Sequence, residues 1–322
     1  MTLEVLRPGL LTTLQDLGRP GFAHLGMGRA GAFDAPALRI ANALCGNPAT
    51  ACGLEFTLLG PTLHSTADAW IAITGAPCAL QVDGIARTLW TPLHVQAGQT
   101  LSIGRIQAGC RSYLAIGGGI AVEPALGSRS CDVNAHLGPL GGRPLRAGDV
   151  LPVSPTAKPH TDLQSAHWQL DPRPWFKHDP DLPLRCLPGS HFDRLSAASR
   201  NAWFRQPFTV GANSNRVGLR LAGDALALTA PVEMVSEGCV PGLVQLPPSG
   251  QPIAFGPEAP TSGGYPRIGQ IAAIDLPRLA QLRPGDAVRF APCSLDAALA
   301  ALQRRERALD ALEATIASRL SA

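Results

Sequence analysis

LRAGDVLPV, residues 145–153, decides the fold, because the same kind of segment returns near the end of the chain as LRPGDAVRF, residues 282–290. Each is an L-R-x-G-D turn opening onto a short apolar strand. Gly148 and Gly285 supply the backbone freedom of a tight turn, and Asp149 and Asp286 can hydrogen-bond their own backbone. One closing turn used twice in 322 residues implies two related units, each a β-barrel or a β-sandwich. The length agrees, since a single core seldom grows that large.

The intervening sequence has a strand-and-turn rhythm. WIAITG, LQVDG, LHVQAG, TLSIG and SYLAIGG precede the first turn; PFTVG, VGLRLAG, ALALTA, VQLP, PIAFG and IAAIDL precede the second. The spacing predicts one helix over 34–44, with Asp34 as N-cap and Ala37, Leu38, Ala41 and Leu44 on one face. Residues 154–183, rich in Pro, His and Asp and carrying Trp168 and Trp175, are expected to be a linker that packs. After Pro292, Ser294 can cap a long helix whose Leu295, Leu299, Leu302, Leu309, Leu312, Ile316 and Leu320 form one stripe. That stripe is expected to pack on the chain's own barrels, with partner docking or self-pairing as the alternative. The expected organisation is therefore mainly β: a domain over 1–153, a linker over 154–183, a domain over 184–292 and a C-terminal helix over 293–322.

Composition excludes several classes. Hydrophobic residues at 45% and charged residues at 16% describe a globular chain, and a formal charge of +3 calls for no nucleic-acid partner. No apolar run is long enough for a membrane helix, and MTLEVLRPG lacks a basic-then-apolar leader, so a cytoplasmic location is expected. The eight cysteines show no C-x-x-C pair and the eight histidines no i, i+4 pair, which argues against zinc or disulfide frameworks and gives no metal site. Cys239, in SEGCVPG, is expected to be a buried thiol rather than a nucleophile. There is no P-loop, G-x-S-x-G or H-E-x-x-H motif, and Gly117-Gly118-Gly119 opens no helix that would complete a dinucleotide fingerprint.

Carboxylates and arginines in turns remain. TTLQDLGRPG gathers Gln15, Asp16 and Arg19 around Gly18, and Asp16 and Arg19 either pair with each other or serve as base and anion holder. Glu55, in apolar LEFTLLGP, is either an acid–base group with a raised pKa or a structural carboxylate. Arg216 and Arg220 share a strand face that either cradles an anion or meets solvent. SGQPIAFGPEAPTSGGYP, residues 249–266, runs from a strand holding Gln251, Ile253 and Phe255 into a turn of hydroxyls and glycines, either a ligand loop or an ordinary hairpin.

Taken together, TTLQDLGRPG, GAFD, LEFTLLGP, YLAIGGGI, LGSRS, GRPLRAGD, SNRVGLRL, VQLPPSGQPI and TSGGYP stand in a telling order and spacing from about Leu10 to Phe290. The set resembles the family of biotin-dependent carboxyltransferases, allophanate hydrolase subunit 2 and the C component of 5-oxoprolinase. The resemblance implies two cyclophilin-like β-barrels. It also implies a separate partner, of the type of the 5-oxoprolinase B component or allophanate hydrolase subunit 1, together with a third 5-oxoprolinase subunit. The implied activity is ATP-dependent opening of 5-oxoproline to glutamate, with ATP and Mg2+ acting at the level of the complex. The alternatives are the carboxyltransferase part of a urea carboxylase-like system, the only case needing biotin, and a non-enzymatic regulatory subunit. Under the first, Asp16, Glu55 and Glu258 are the acid, base or metal-orienting candidates. Arg19, Arg129 and Arg216 are the anion holders, and Gln15, Asp34, Gln251, Thr261, Gly263, Gly264 and Tyr265 complete a pocket for a small acid. The sequence departs from the family at Glu258, where aspartate is usual, at Pro260-Thr261, where glutamine-threonine is usual, and at Cys131, where threonine is common.

Overall fold

The structure is a computed structural model and describes residues 1–155, 168–179 and 181–321. The chain divides into two units, one of Met1–Arg19, Ala30–Lys177 and the chain from Arg307, the other of Pro20–Arg29 and His178–Glu306. Part of the expected linker, residues 156–167 and 180, lies outside the described residues. From Trp168 the chain packs on the first unit: Leu170 N donates to Trp90 O at 2.9 Å, and the Thr91 hydroxyl donates to Trp168 O at 2.6 Å.

The first unit holds, in chain order, β1 (Thr2–Arg7), β2 (Leu11–Gln15), α1 (Ala35–Leu44), β3 (Gly53–Thr57), β4 (Thr62–Ser65), β5 (Ala69–Gly75), β6 (Cys78–Val82), β7 (Ile85–Arg87), β8 (Leu93–Val95), β9 (Thr100–Ile106), β10 (Arg111–Ile116) and β11 (Val150–Pro152). One sheet runs β11-β1-β4-β9-β6-β7 and the other β2-β3-β10-β5-β8. Leu3, Val5, Leu63 and Leu101 from the first sheet meet Leu14, Leu54, Phe56, Ile73 and Leu114 from the second in one core. The other face of the second sheet is covered by α1, with Ile40, Ala41 and Leu44 over Ala72 and Ala115, and Ala37 and Leu38 over Tyr113. Strands covered on both faces need no polar alternation, which is why WIAITG and SYLAI read as unbroken apolar runs. As expected, Asp34 caps α1, accepting from Ala37 N at 3.2 Å, with Pro36 in the first turn.

The second unit holds β12 (Leu184–Pro188), α2 (Ala197–Arg205), β13 (Phe208–Val210), β14 (Gly218–Ala222), β15 (Glu237–Gly238), β16 (Leu243–Gln245), β17 (Ile253–Phe255), β18 (Ser262–Gly263), β19 (Arg267–Ile271), α3 (Leu276–Ala280), β20 (Ala287–Val288) and β21 (Phe290–Pro292); α4 (Leu295–Ser321) follows. Its main sheet runs β20-β13-β14-β17-β16-β19-β12-β21. The two edge strands follow one another in sequence with Arg289 between them, so the chain itself brings the edges together and the sheet nearly closes. Inside, Trp203 stacks on Phe290 with centroids 4.2 Å apart and also meets Phe208. The architecture is the mainly β one expected, with short helices and a long C-terminal helix.

The repeated turn is repeated bond for bond. Asp149 accepts from Arg146 N at 2.7 Å and Asp286 from Arg283 N at 3.0 Å. Gly148 N and Gly285 N each donate at 2.8 Å to a valine carbonyl, Val5 in one unit and Val210 in the other. Those valines return a bond from N to the carbonyls of Asp149 and Asp286, at 2.8 and 2.9 Å. Both glycines have positive φ, +88° and +92°, as a turn this tight requires.

The stripe expected along α4 holds for its second half, where Leu309, Ile316 and Leu320 pack with Ile40, Leu44 and Trp90. Arg39 from α1 fastens this half, its Nε and Nη2 donating to Glu313 at 2.8 and 3.0 Å and Nη2 also to Asp310 at 3.0 Å. The first half corrects the expectation: Leu295 and Leu299 are 59% and 46% exposed, whereas Ala298 and Ala301 are buried. Followed back from Leu309 at helical spacing, the buried line passes through Arg305, Ala301 and Ala298, one position away from the leucines.

Candidate functional site

In the first unit, the end of β2 and the LGSRS segment form one hydrogen-bonded knot. Asp16 Oδ1 accepts from Gly18 N at 2.8 Å and from the Ser128 and Ser130 hydroxyls at 2.6 Å each; Oδ2 accepts from Arg129 N at 2.6 Å. Arg19 does not point back to Asp16 in these contacts. Its Nε donates to Ala125 O at 3.3 Å and its Nη2 donates to Ser130 O. Gln15 Nε2 donates to Thr13 Oγ1 and Cys131 O, both at 3.0 Å. Three neighbouring residues of one loop thus clamp a second loop more than a hundred residues away.

The clamped segment is itself a tight turn. Ala125 and Ser128 exchange backbone hydrogen bonds, N to O in both directions at 2.8 and 3.2 Å, across Leu126 and Gly127. Both central residues have positive φ, +53° and +75°, as a two-residue type I′ connection requires. A leucine in that region is strained by ~1–2 kcal/mol and stays there only if its surroundings over-determine it, as Asp16 and Arg19 do here. Arg129 leaves the turn with Nε donating to Val122 O at 2.7 Å. Its two terminal nitrogens make no hydrogen bond among the described residues, and the side chain is only partly buried. Of the three expected anion holders, Arg129 is the one whose fork remains open.

Glu55 and Asp34 meet through Tyr113, whose phenol donates to Glu55 Oε2 at 2.7 Å and accepts from Asp34 N at 2.7 Å. Phe33 N also donates to Glu55 Oε2 at 2.9 Å, and Arg111 Nε stands 3.6 Å from Oε1. Register explains the set: Thr13, Glu55, Tyr113 and Thr74 lie directly opposite one another across β2, β3, β10 and β5, a buried polar row beneath α1 and the 30–34 loop. Burial, with the charges of Glu55 and Asp34, pushes the Tyr113 hydroxyl well above the usual phenol range, so it stays protonated and donates. The knot and this row adjoin, because Ala32 N donates to Asp16 O at 2.9 Å. Gln15, Asp16, Arg19, Asp34, Glu55 and Arg129 are therefore assembled in one unit.

In the second unit Arg216 and Glu258 pair with each other, Nε to Oε1 at 2.5 Å, both buried. The guanidinium expected to meet substrate thus meets a carboxylate of its own chain. Gln251 stands apart from the TSGGYP turn. Its side chain exchanges two 3.0 Å hydrogen bonds with the Gly223 backbone, and β17 begins only at Ile253. Ser262–Gly263 pairs with Glu237–Gly238, and Thr261 O accepts from Cys239 N at 2.9 Å. Gly263 lies on buried Gln245 and Cys239, where a Cβ would come within 2.9 Å of Gln245 Nε2 and 3.1 Å of Cys239 Sγ. Burial holds the Cys239 thiol up despite Arg267 beside it, so it is no thiolate nucleophile at neutral pH. Tyr265 projects outward, 45% exposed.

The carboxylates expected to orient a metal already carry donors of their own chain. The oxygens of Asp16 are taken by N–H and O–H donors, Glu55 Oε2 by a backbone N–H and a phenol, with Oε1 facing Arg111, and Glu258 by a guanidinium. A cation would have to displace those donors. Among the described residues no group of three or more His, Cys, Asp or Glu is placed to hold a metal. No helix among them is long and apolar enough to cross a membrane.

Ser128, Ser130 and Tyr113, which bond directly to Asp16 and Glu55, lie outside the set expected from sequence. The serines flank Arg129 in LGSRS, and Tyr113 is one of only two tyrosines in the chain, followed by apolar Leu114, Ala115 and Ile116. Those were the available signals.

The fold and these loops carry a family identity. A family model described as carboxyltransferase domain, subdomain A and B, matches residues 25–292, and the chain belongs to that family. Among curated relatives, it is 42% identical over 312 residues to the C component of 5-oxoprolinase from Escherichia coli K12, covering 96% of this chain and 97% of that one. It is 36% identical over 308 residues to the corresponding 5-oxoprolinase C component of Haemophilus influenzae, covering 96% of each. Among solved structures, the K. lactis urea amidolyase superposes with a TM-score of 0.87 at 28% identity, over 96% of this chain and 20% of that one.

Proposed function

We propose that this chain is a subunit of an ATP-dependent 5-oxoprolinase-type complex, contributing to the opening of a small cyclic amide, 5-oxoproline, to glutamate. The observation that carries it is the likeness to proteins named as 5-oxoprolinase components over nearly their whole length. The chemistry is hydrolytic: water adds to the lactam carbonyl, the ring C–N bond breaks and the nitrogen takes up a proton as the free amine, while a second water cleaves ATP to ADP and phosphate, which drives the opening. This chain's part is to bind and orient the acid. Arg129, with its terminal nitrogens open beside a rigid turn, holds the substrate carboxylate or a phosphate charge by a two-point contact. Asp16, Arg19 and Glu55 act by fixing that loop and its neighbour, and Arg216 and Glu258 by fixing the second barrel. ATP and Mg2+ act at the level of the complex, which this chain forms with two partner proteins, one of the type of the 5-oxoprolinase B component or allophanate hydrolase subunit 1, the other a third component. In the second unit, Gly263 and Gly264 present backbone over the Gln245 floor as a ligand-lining turn, with Thr261 and Tyr265 flanking it.

The purified chain assembled with its partner proteins should release glutamate from 5-oxoproline only when ATP is present; no glutamate from the complete assembly rejects the assignment. A second reading, the carboxyltransferase part of a urea carboxylase-like system, is favoured by the superposition on urea amidolyase. It predicts carboxyl transfer that depends on a biotinylated carrier and no glutamate release.

A further inference from the structure

We infer that Ser128 and Ser130, acting through Asp16, are positioning residues that aim the Arg129 guanidinium at an anionic substrate group. The inference rests on the proposed role of Arg129 and goes beyond it by naming what sets the arm's direction. The two hydroxyls on either side of Arg129 both donate to Asp16 Oδ1 at 2.6 Å, while the amide of Arg129 itself donates to Oδ2 at 2.6 Å. Three consecutive residues are thus anchored to one buried carboxylate. Ser130 Oγ also accepts from Asp16 N at 2.9 Å, and Ser128 Oγ accepts from Ser130 N at 3.0 Å, so each hydroxyl is held as donor and acceptor.

The lock holds the strained turn and also fixes the residue between the two serines. The Leu126–Gly127 connection is already closed by its own backbone bonds, and Arg19 holds Ala125 and Ser130 through their carbonyls. The carboxylate–serine lock adds control over the one residue between the serines, whose backbone is fixed at N while Nε is fixed to Val122 O. With those two points set, the terminal nitrogens have little freedom, and a preorganised fork loses less entropy when it takes up a carboxylate or phosphate. The ligand class this geometry suits is a planar carboxylate or a phosphate oxygen pair.

The test is a double-mutant cycle on the assembled complex, following ATP-dependent glutamate release against 5-oxoproline concentration for wild type, Ser130→Ala, Arg129→Ala and the double variant. Arg129→Ala and Ser130→Ala should each raise KM, by roughly tenfold or more, with the loss falling on KM rather than kcat. The double variant should be no worse than Arg129→Ala alone, and Ser130→Thr should restore the wild-type KM. Losses that multiply in the double variant, or a Ser130→Ala effect confined to kcat, overturn the positioning role. A wild-type KM in Arg129→Ala instead overturns the anion arm of the proposed function, and a wild-type complex that makes no glutamate overturns that function and this inference together. Should Ser130→Ala fail to assemble, Ser128→Ala carries the same cycle.

Discussion

At the scale of single residues, buried polar groups are spent on one another. Tyr113 is the sharpest case, a phenol that satisfies Glu55 and the Asp34 amide together. Tyr113→Phe keeps the ring and removes the hydroxyl, leaving one buried donor and one acceptor short; equilibrium urea unfolding should show a loss of about 1–3 kcal/mol. An unchanged midpoint would mean that water replaces the hydroxyl. Arg129→Lys keeps the charge and loses the fork, so the KM for 5-oxoproline should rise several-fold in the assembled complex, whereas an electrostatic contact alone would leave it unchanged. Much at this scale was legible in the sequence and some was not. Burial of Glu55 follows from its apolar neighbours, and capping by Asp34 follows from the residues after it. That Arg216 would meet Glu258 rather than a ligand, or that Tyr113 would reach Glu55, depends on strand register between segments 42 and 58 residues apart, which periodicity does not encode.

At the scale of elements, the repeated closing turn was readable because its chemistry is local: an aspartate three residues after an arginine, and a glycine between them. Its pH dependence follows. The Arg143 fork on Asp149, at 2.7 and 2.8 Å, holds that carboxyl below the usual aspartate range. A depressed pKa gives stability that is complete above the unfolded value of ~3.9 and lost as pH falls through the lower folded value. Melting temperature should therefore fall more steeply below about pH 4 in the wild type than in Asp149→Asn, which lacks this titration; parallel curves would contradict the assignment. The long helix taught the opposite lesson. Its leucines suggested one continuous stripe, yet the buried line shifts by one position where alanines allow close packing. Leu295→Gln and Leu299→Gln should accordingly change stability by no more than about 0.5 kcal/mol, while Leu309→Ala, fully buried, should cost about 2–5 kcal/mol by the same unfolding assay.

At the scale of the whole molecule, two β-built units close on the same turn, and the first gathers six of the expected site residues around β2 and LGSRS. What the sequence could not show is the division of labour within that set: which carboxylates are consumed as clamps and which guanidinium is left open. Of the three expected anion holders, the clamps leave Arg129 as the one with open terminal nitrogens. The central claim is that this chain is an indispensable part of a 5-oxoproline-opening complex. Glutamate release from 5-oxoproline with ATP, measured for the complete assembly and for the same assembly lacking this chain, tests it most directly. The account predicts turnover in the first and none in the second; equal glutamate release with and without the chain would contradict it.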